Sequence, residues 1–403
     1  MRRNSAGEAE NRVEPVDSSA AHAQSAFQVA DPADATPLQN PASRLRAAAR
    51  RDSLPAPGAL PAARLVGPLN DDYPLAVIVG PTAAGKSALA IFLAERWAGE
   101  IVNCDSVQVY RGFDIGTGKL AMVERRGIPH HLLDVVEPGE VFTAGDYRQE
   151  ARRVLEAVRQ RSKLPIVVGG TGLYLRALLE GLFEGPQRSE EVRARLAEMV
   201  RRRGREFLHG LLRRLDPQAA ARVHPRDTSK ITRALEVCML ARQPISALQA
   251  SGRAGLQGFR VLKIGLSPDR KQLAQRINAR VERMFASGLL EETRAMANRP
   301  DRERIKPLGA LGYHQAAALL RGEINREEAI RITQAATRQY AKRQMTWFRR
   351  ETGVEWFAGF GDDAKVQSRV LDWMVRAWHS AAGPGQSALA SESTQPARNG
   401  DNA

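Results

Sequence analysis

Leu75-Ala76-Val77-Ile78-Val79, followed by Gly80-Pro81-Thr82-Ala83-Ala84-Gly85-Lys86-Ser87, decides how this chain reads. The first five residues are a continuous apolar run with β-branched members, closed by glycine and proline. That is the pattern of a strand buried on both faces of a parallel sheet. The next eight fit G-x-x-x-x-G-K-[ST], placed between that strand and a predicted helix over Lys86–Trp97. In this context the glycines let backbone N–H groups converge on phosphate oxygens, and the helix N-terminus adds partial positive charge. Lys86 would neutralise the terminal phosphates, and Ser87 would help hold Mg2+.

Further strands are expected over Glu100–Cys104, Leu164–Val168 and Val261–Leu266, with a helix over Ala144–Arg161. Strands alternating with helices give an α/β fold with a P-loop NTPase-like core and a parallel sheet. A hydrolytic P-loop enzyme usually carries a magnesium-binding Asp at the end of a neighbouring strand. Here the strand that starts at Leu164 ends in Gly169-Gly170 instead, while the strand that starts at Glu100 runs into Cys104-Asp105-Ser106. Asp105 reads either as a metal ligand or as a base facing an acceptor.

From residue 186 the chain turns mostly helical and Arg-dense, over 188–214, 226–243, 269–297 and 326–350. The expected organisation is an extension at 1–71, an α/β core over 72–185, a helical insertion over 186–225, a core continuation with C-terminal helices over 226–375, and a tail at 376–403. Both ends are rich in small residues and proline, and should not bury enough surface to offset their ordering entropy. The acids Glu8, Glu10, Glu14 and Asp17 argue against a transit peptide.

The net charge of +15 and pI near 10.4 favour a polyanion such as nucleic acid, or an acidic small molecule. The two cysteines cannot build a disulfide framework, so a reducing cytosol is expected, and no apolar run reaches membrane-spanning length. Cys104 and Cys238 read as small buried residues.

Beyond the phosphate loop, further segments follow in a fixed order. They are Ile101–Arg111 (IVNCDSVQVYR), Asp114–Lys119 (DIGTGK), His130–Asp134 (HHLLD), Gly169–Tyr174 (GGTGLY), Arg233–Glu236 (RALE), Arg276–Met284 (RINARVERM), Gly312-Tyr313 and Thr337–Trp347 (TRQYAKRQMTW). Together they resemble the tRNA dimethylallyltransferase family in its bacterial form, from about Leu75 to Phe357. Two positions depart from the family's usual pattern: Gly118 stands where Ala is common, and His314 where Arg is common.

The resemblance implies transfer of a dimethylallyl group from dimethylallyl diphosphate to N6 of the adenosine 3′ of a tRNA anticodon, position 37, in tRNAs reading codons that begin with U. It implies Mg2+ as cofactor, a monomer, the anticodon stem-loop as partner and no membrane association. An adenine amine is a weak nucleophile, so Asp105 is the expected general base. Arg280, Lys86 and the loop amides would stabilise the leaving diphosphate. Thr171 would hydrogen-bond diphosphate or adenine, giving Asp105, Thr171 and Arg280 as the catalytic set. Expected tRNA contacts are Asp105, Ser106, Val107, Gln108 and Thr171; Arg193; Ser229, Lys230, Ile231, Thr232 and Arg233; Gly312 and Tyr313; and Lys342, Arg343, Gln344, Met345, Thr346, Trp347, Phe348 and Arg349. The residues alone leave other readings open. Any single Arg could belong to a solvated helix face, Trp347 and Phe348 read as helix core before base platforms, and His130-His131 as a packed loop. A small-metabolite kinase, a non-catalytic RNA binder and transfer to a free mononucleotide are the rivals. The basic helical half counts against the last.

Overall fold

The computed structural model describes residues 72–380. Six strands form one parallel sheet: β1 (Tyr73–Val79), β2 (Glu100–Cys104), β3 (His130–His131), β4 (Pro165–Gly169), β5 (Phe259–Ser267) and β6 (Val354–Ala358), in the order β3-β2-β4-β1-β5-β6. β1 is central, with Ile78 opposite Val168 on one side and Ile264 on the other. Its side chains alternate between two cores, which is why the whole run is apolar. Ala76 and Ile78 pack with Leu89, Leu93 and Trp97 of α1 (Lys86–Trp97) and Trp378 of α13 (Ala364–His379). Leu75, Val77 and Val79 pack with Tyr147 and Leu155 of α2 (Ala144–Gln160), Leu175 of α3 (Gly172–Leu179) and Phe348 at the end of α12 (Arg326–Phe348).

The two edge strands were not expected from sequence. β6 pairs with β5 from Lys263↔Val354 to Ser267↔Ala358, yet of its five residues only Phe357 is buried. A half-exposed edge strand lacks the apolar run that marks the central ones. β3 pairs two residues with β2, and His131 Nε2 lies 2.6 Å from Glu100 Oε2. Glu100 also accepts from Arg161 Nη2 at 2.6 Å, so this histidine pair is tied into an ion-pair edge.

Between α3 and β5 stands a helical unit with its own core. It comprises α4 (Glu190–Arg203), α5 (Arg205–Leu215), α6 (Pro217–Arg222), α7 (Thr228–Ala241) and α8 (Ile245–Ala250). Leu196, Leu208, Leu212, Ile231, Leu235 and Ile245 form that core. The shared packing therefore extends past the boundary at 225 drawn from the sequence, because the apolar face of α7 turns toward α4 and α5 and away from the sheet. At the other end, α13 runs to His379, past the boundary at 375. The extension at 1–71 and the tail beyond Ser380 lie outside the described residues.

One buried charge network holds the helical unit. Glu236, 0% exposed, accepts from Arg193 Nε (2.8 Å) and Nη2 (3.0 Å), Arg233 Nη1 (2.7 Å) and Ser189 N (2.9 Å). Burial pushes its carboxyl up, but the hydrogen bonds from Arg193, Arg233 and Ser189 outweigh it and bring it to about 2. A depressed acid stabilises the fold above its unfolded pKa, and that contribution fades as pH falls from about 4.5 toward 2. Glu236→Ala leaves two guanidinium groups without their buried partner and is expected to cost about 3–5 kcal/mol. Urea unfolding of the full chain measures this loss, which should shrink progressively below pH 4.5.

A last core lies over the sheet's C-terminal edge. α9 (Arg270–Ala286), α10 (Leu289–Ala297) and α11 (Tyr313–Leu320) contribute Val281, Phe285, Leu289 and Tyr313, which pack on Val109 and Phe113 from the segment after β2. In a parallel sheet all strand C-termini share one edge, so the loops after β1, β2 and β4 converge beneath these helices.

Candidate active site

The loop after β1 curls through Gly80 (φ 144°), Ala83 (φ 63°) and Gly85 (φ 82°) into the first turn of α1. Gly85 is required twice over. Its φ is left-handed, and a Cβ there would lie 2.8 Å from Gly361 N. Lys86 folds back, donating to Gly80 O (3.1 Å) and Pro81 O (2.8 Å). Burial and the nearby Arg280 guanidinium pull its ammonium down to about 8, against the opposing Asp105 carboxylate.

Asp105 follows β2 directly. Its Oδ1 accepts from Val107 N (2.9 Å) and Gln108 N (3.3 Å), which fixes the turn. No hydrogen bond occupies its second oxygen among the described residues. From the end of β4, Thr171 N donates to Cys104 O (3.1 Å), while Thr171 Oγ1 accepts from Ser106 N (3.0 Å) and donates to Ser106 Oγ (3.2 Å). Arg280 of α9 reaches down to Thr117 O (3.0 Å) and Thr82 Oγ1 (3.5 Å). Gly118 (φ 63°) makes room for that reach, since a Cβ there would overlap the guanidinium.

Two cavities meet at these groups. One, of about 650 Å3, is lined by Thr82 to Ser87 of the loop, Asp105, Arg276, Arg280 and Arg283. The other, of about 330 Å3, is lined by Asp105, Ser106, Val107, Val281, Met284 and Arg343. Asp105, Arg280, Thr82 and Tyr340 border both. The carboxylate therefore faces the phosphate loop on one side and an open, partly apolar chamber on the other.

The profile of the family described as IPP transferase matches residues 108–351. The tRNA dimethylallyltransferase of Koribacter versatilis is 56% identical over 297 residues, 74% of this chain and 96% of the relative. That of Solibacter usitatus is 52% identical over 75% of this chain and 98% of the relative. This chain belongs to the tRNA dimethylallyltransferase family. Solved structures agree. The tRNA isopentenylpyrophosphate transferase of Bacillus halodurans is 37% identical with TM-score 0.56, covering 75% of this chain and 96% of that one. A eukaryotic dimethylallyltransferase caught acting on tRNA is 26% identical with TM-score 0.63, covering 75% of this chain and 77% of that one. The fold is the P-loop NTPase-like α/β fold of tRNA dimethylallyltransferases.

Not every residue expected at the site of a tRNA dimethylallyltransferase faces the cavities. Thr171 exchanges hydrogen bonds with Ser106 beside Asp105 and lines neither of these two cavities. Thr171→Val is expected to lower kcat about tenfold while pyrophosphate affinity stays within about twofold, since a neutral positioning hydrogen bond is worth about 1 kcal/mol. Steady-state kinetics beside calorimetric titration separate the two effects.

Several expected RNA contacts are largely buried, although Gly312 and Tyr313 line the second cavity and Gln344 the first. Tyr313, 0% exposed, stacks edge-on with Phe113 and donates to Glu292 Oε1. Glu292 in turn accepts from Asp114 N, Ile115 N and Gly116 N (2.9–3.2 Å), clamping the loop that presents Thr117 O to Arg280. Gly312 is buried beside Tyr313. Arg193 and Arg233 are committed to Glu236, and Ile231 is core. Gln344 is buried and bridges two loops, accepting from Thr82 N (2.8 Å) and donating to Gly170 O (3.0 Å). Phe348 is core, and Trp347 lies under the Arg176 guanidinium at 4.6 Å. Ser229, Lys230, Lys342, Arg343, Thr346 and Arg349 remain exposed, with Thr232 and Met345 half-buried. On a helix that packs against the sheet, only about half of a contiguous motif can face solvent.

Sequence reasoning passed over Tyr340, Glu292 and Asp362. Tyr340 sits inside the quoted Thr337–Trp347 segment. Burial and the Asp105 carboxylate push its phenol up to about 12, so it stays neutral. No local signal marks Glu292 or Asp362, because their partners are 21 or more residues away. Cys104, beside Asp105, is inert: burial pushes its thiol up to about 12.

Proposed function

We infer that this protein transfers the dimethylallyl group of dimethylallyl diphosphate to N6 of adenosine 37, 3′ of the anticodon, in tRNAs reading codons that begin with U. It releases diphosphate and acts as a monomer. The observation that carries this reading is the position of Asp105 on the wall common to the phosphate-loop cavity and the second chamber. A donor held by the loop and a base entering from the other side would meet at that carboxylate.

In this reading the loop amides, Lys86 and Arg280 bind the diphosphate and hold charge that grows on its bridging oxygen. The free oxygen of Asp105 accepts a proton from the N6 amine as the C–N bond forms, and the C–O bond to diphosphate breaks on the opposite face of the allylic carbon. Apolar walls such as Val281 and Met284 keep water from the reacting carbon. An anticodon-loop base can leave its stack at lower cost than one in a duplex, which suits a chamber of about 330 Å3. The donor set fits Mg2+. Ser87 Oγ faces the cavity with no hydrogen-bond partner among the described residues, and a hydroxyl with diphosphate oxygens and waters suits a hard cation. When bound there, Mg2+ supplies neutralisation of the leaving diphosphate. The exposed cations Lys230, Lys342, Arg343 and Arg349 are the residues we assign to RNA phosphates.

Among the described residues no helix is long and apolar enough to cross a membrane. The test is incubation of the purified chain with an anticodon stem-loop and dimethylallyl diphosphate, followed by nucleoside mass spectrometry. A dimethylallyl adduct on the adenosine 3′ of the anticodon is expected. Turnover of ATP on a small metabolite without RNA would replace this reading with the kinase.

A further inference from the structure

A carboxylate inside an anion site calls for a physical reason. The phosphate cavity is lined by Lys86, Arg276, Arg280 and Arg283, yet Asp362 lines it too. Asp362 lies in the turn between β6 and α13. Backbone ties that turn to the phosphate loop, with Gly361 N donating to Ala84 O at 2.9 Å. Gly85 leaves it space, since a Cβ there would lie 2.8 Å from Asp362 Oδ1.

Among the described residues Asp362 has one cationic partner. Arg276 Nη1 donates to Oδ1 at 2.7 Å and to Oδ2 at 2.9 Å, and the guanidinium carbon sits 3.7 Å over the Phe360 ring. Arg280, four residues on and one turn along α9, is anchored differently, to Thr117 O and Thr82 Oγ1. Arg276 makes no hydrogen bond to the phosphate loop among the described residues. Its side chain is 43% exposed and that of Asp362 46%, so the pair stands in contact with solvent. An ion pair so exposed is weak and can exchange partners. A diphosphate offers the guanidinium more charge and more acceptor oxygens than one carboxylate does.

We propose that Asp362 is an internal competitor for the diphosphate group. It holds Arg276 when the cavity carries no anion, yields it to the diphosphate of the donor, and takes it back as pyrophosphate leaves. The chemistry calls for such a device. Donor and product share the same diphosphate, and the product carries the added charge of the oxygen released from carbon. Any fixed cation that helps bind the donor also retains the product. A carboxylate beside the cradle repels the more highly charged anion more strongly, which favours release of product over loss of donor. This proposal rests on reading the cavity as a diphosphate site.

Calorimetric titration of the full chain with inorganic pyrophosphate, in the presence of Mg2+ and without RNA, tests it. Asp362→Asn keeps the shape and removes the charge, and is expected to bind pyrophosphate about tenfold more tightly. Asp362→Glu keeps the charge and should stay within about twofold of the native affinity. Asp363→Asn is the neighbouring control. Asp363 caps α13 through Lys365 N at 2.8 Å and lines no part of the phosphate cavity, so its variant should leave pyrophosphate affinity unchanged. Should the Asn variant not fold, Asp362→Ser removes the same charge. Pyrophosphate binding in the charge-removing variant that is equal to or weaker than native overturns the proposal, as does equal tightening in Asp362→Glu. A chain that transfers no dimethylallyl group would refute the functional reading separately, because that assay does not depend on pyrophosphate affinity.

Discussion

Asp105→Asn should lower kcat for transfer to an anticodon stem-loop by about a thousandfold, the scale expected for a lost general base. The amide keeps an Oδ1 able to accept from Val107 N and Gln108 N, so the turn after β2 survives and the chamber keeps its shape. What disappears is the basicity of the oxygen left without a partner among the described residues. The affinity for RNA should change little, because a carboxylate oxygen contributes no phosphate contact. Single-turnover kinetics beside RNA titration reads both quantities. Near-native transfer by the Asn variant would remove Asp105 from the role of base and require another acceptor at the junction of the cavities.

Lys86→Ala should lower kcat/KM for the diphosphate donor by about 10²–10³-fold, the range seen when one preorganised charge is withdrawn from a site of developing negative charge. The same lysine sets a pH dependence. Burial and Arg280 bring its ammonium down to about 8 in the free protein. It is therefore charged below about pH 8 and loses its proton as pH rises through that value, so donor and pyrophosphate affinity should fall above about pH 8 rather than above the ordinary lysine range. A bound diphosphate favours the charged form and raises the pKa, which means that binding takes up a proton at pH just above 8. Pyrophosphate titrations in buffers of different ionisation enthalpy measure that uptake. Lys86→Ala should abolish it, and proton release in the native chain would contradict the assignment.

Much of the fold was legible because its signals are local. The phosphate loop declares itself by glycine spacing between a buried strand and a helix, and both flanking elements form where the periodicity puts them. The helix over Ala144–Arg161 ends one residue early, at Gln160, with Thr143 and Asp146 forming its N-terminal capping box. The edge strands escaped because His130-His131 and Val354–Ala358 are short and half-exposed, and only pairing with a neighbour makes them strands. The packing of α7 with α4 and α5, past residue 225, escaped because which face its apolar stripe meets is not a local property of the sequence.

The candidate site divides along the same line. The spacing of Gly80–Ser87 is enough in sequence to name phosphate, whereas the roles expected of Asp105, Thr171 and Arg280 rest on the family resemblance. Which of them touches a ligand could not be read there. Thr171 is turned to Ser106, Arg193 and Arg233 to Glu236, and Tyr313 to Glu292, while Asp362 arrives at the phosphate loop from 277 positions away. Hydrogen-bonding capacity belongs to a residue type and is fixed by the chain. The partner that consumes it is whatever the folded backbone brings within about 3 Å, a distance that adjacent sequence positions do not determine.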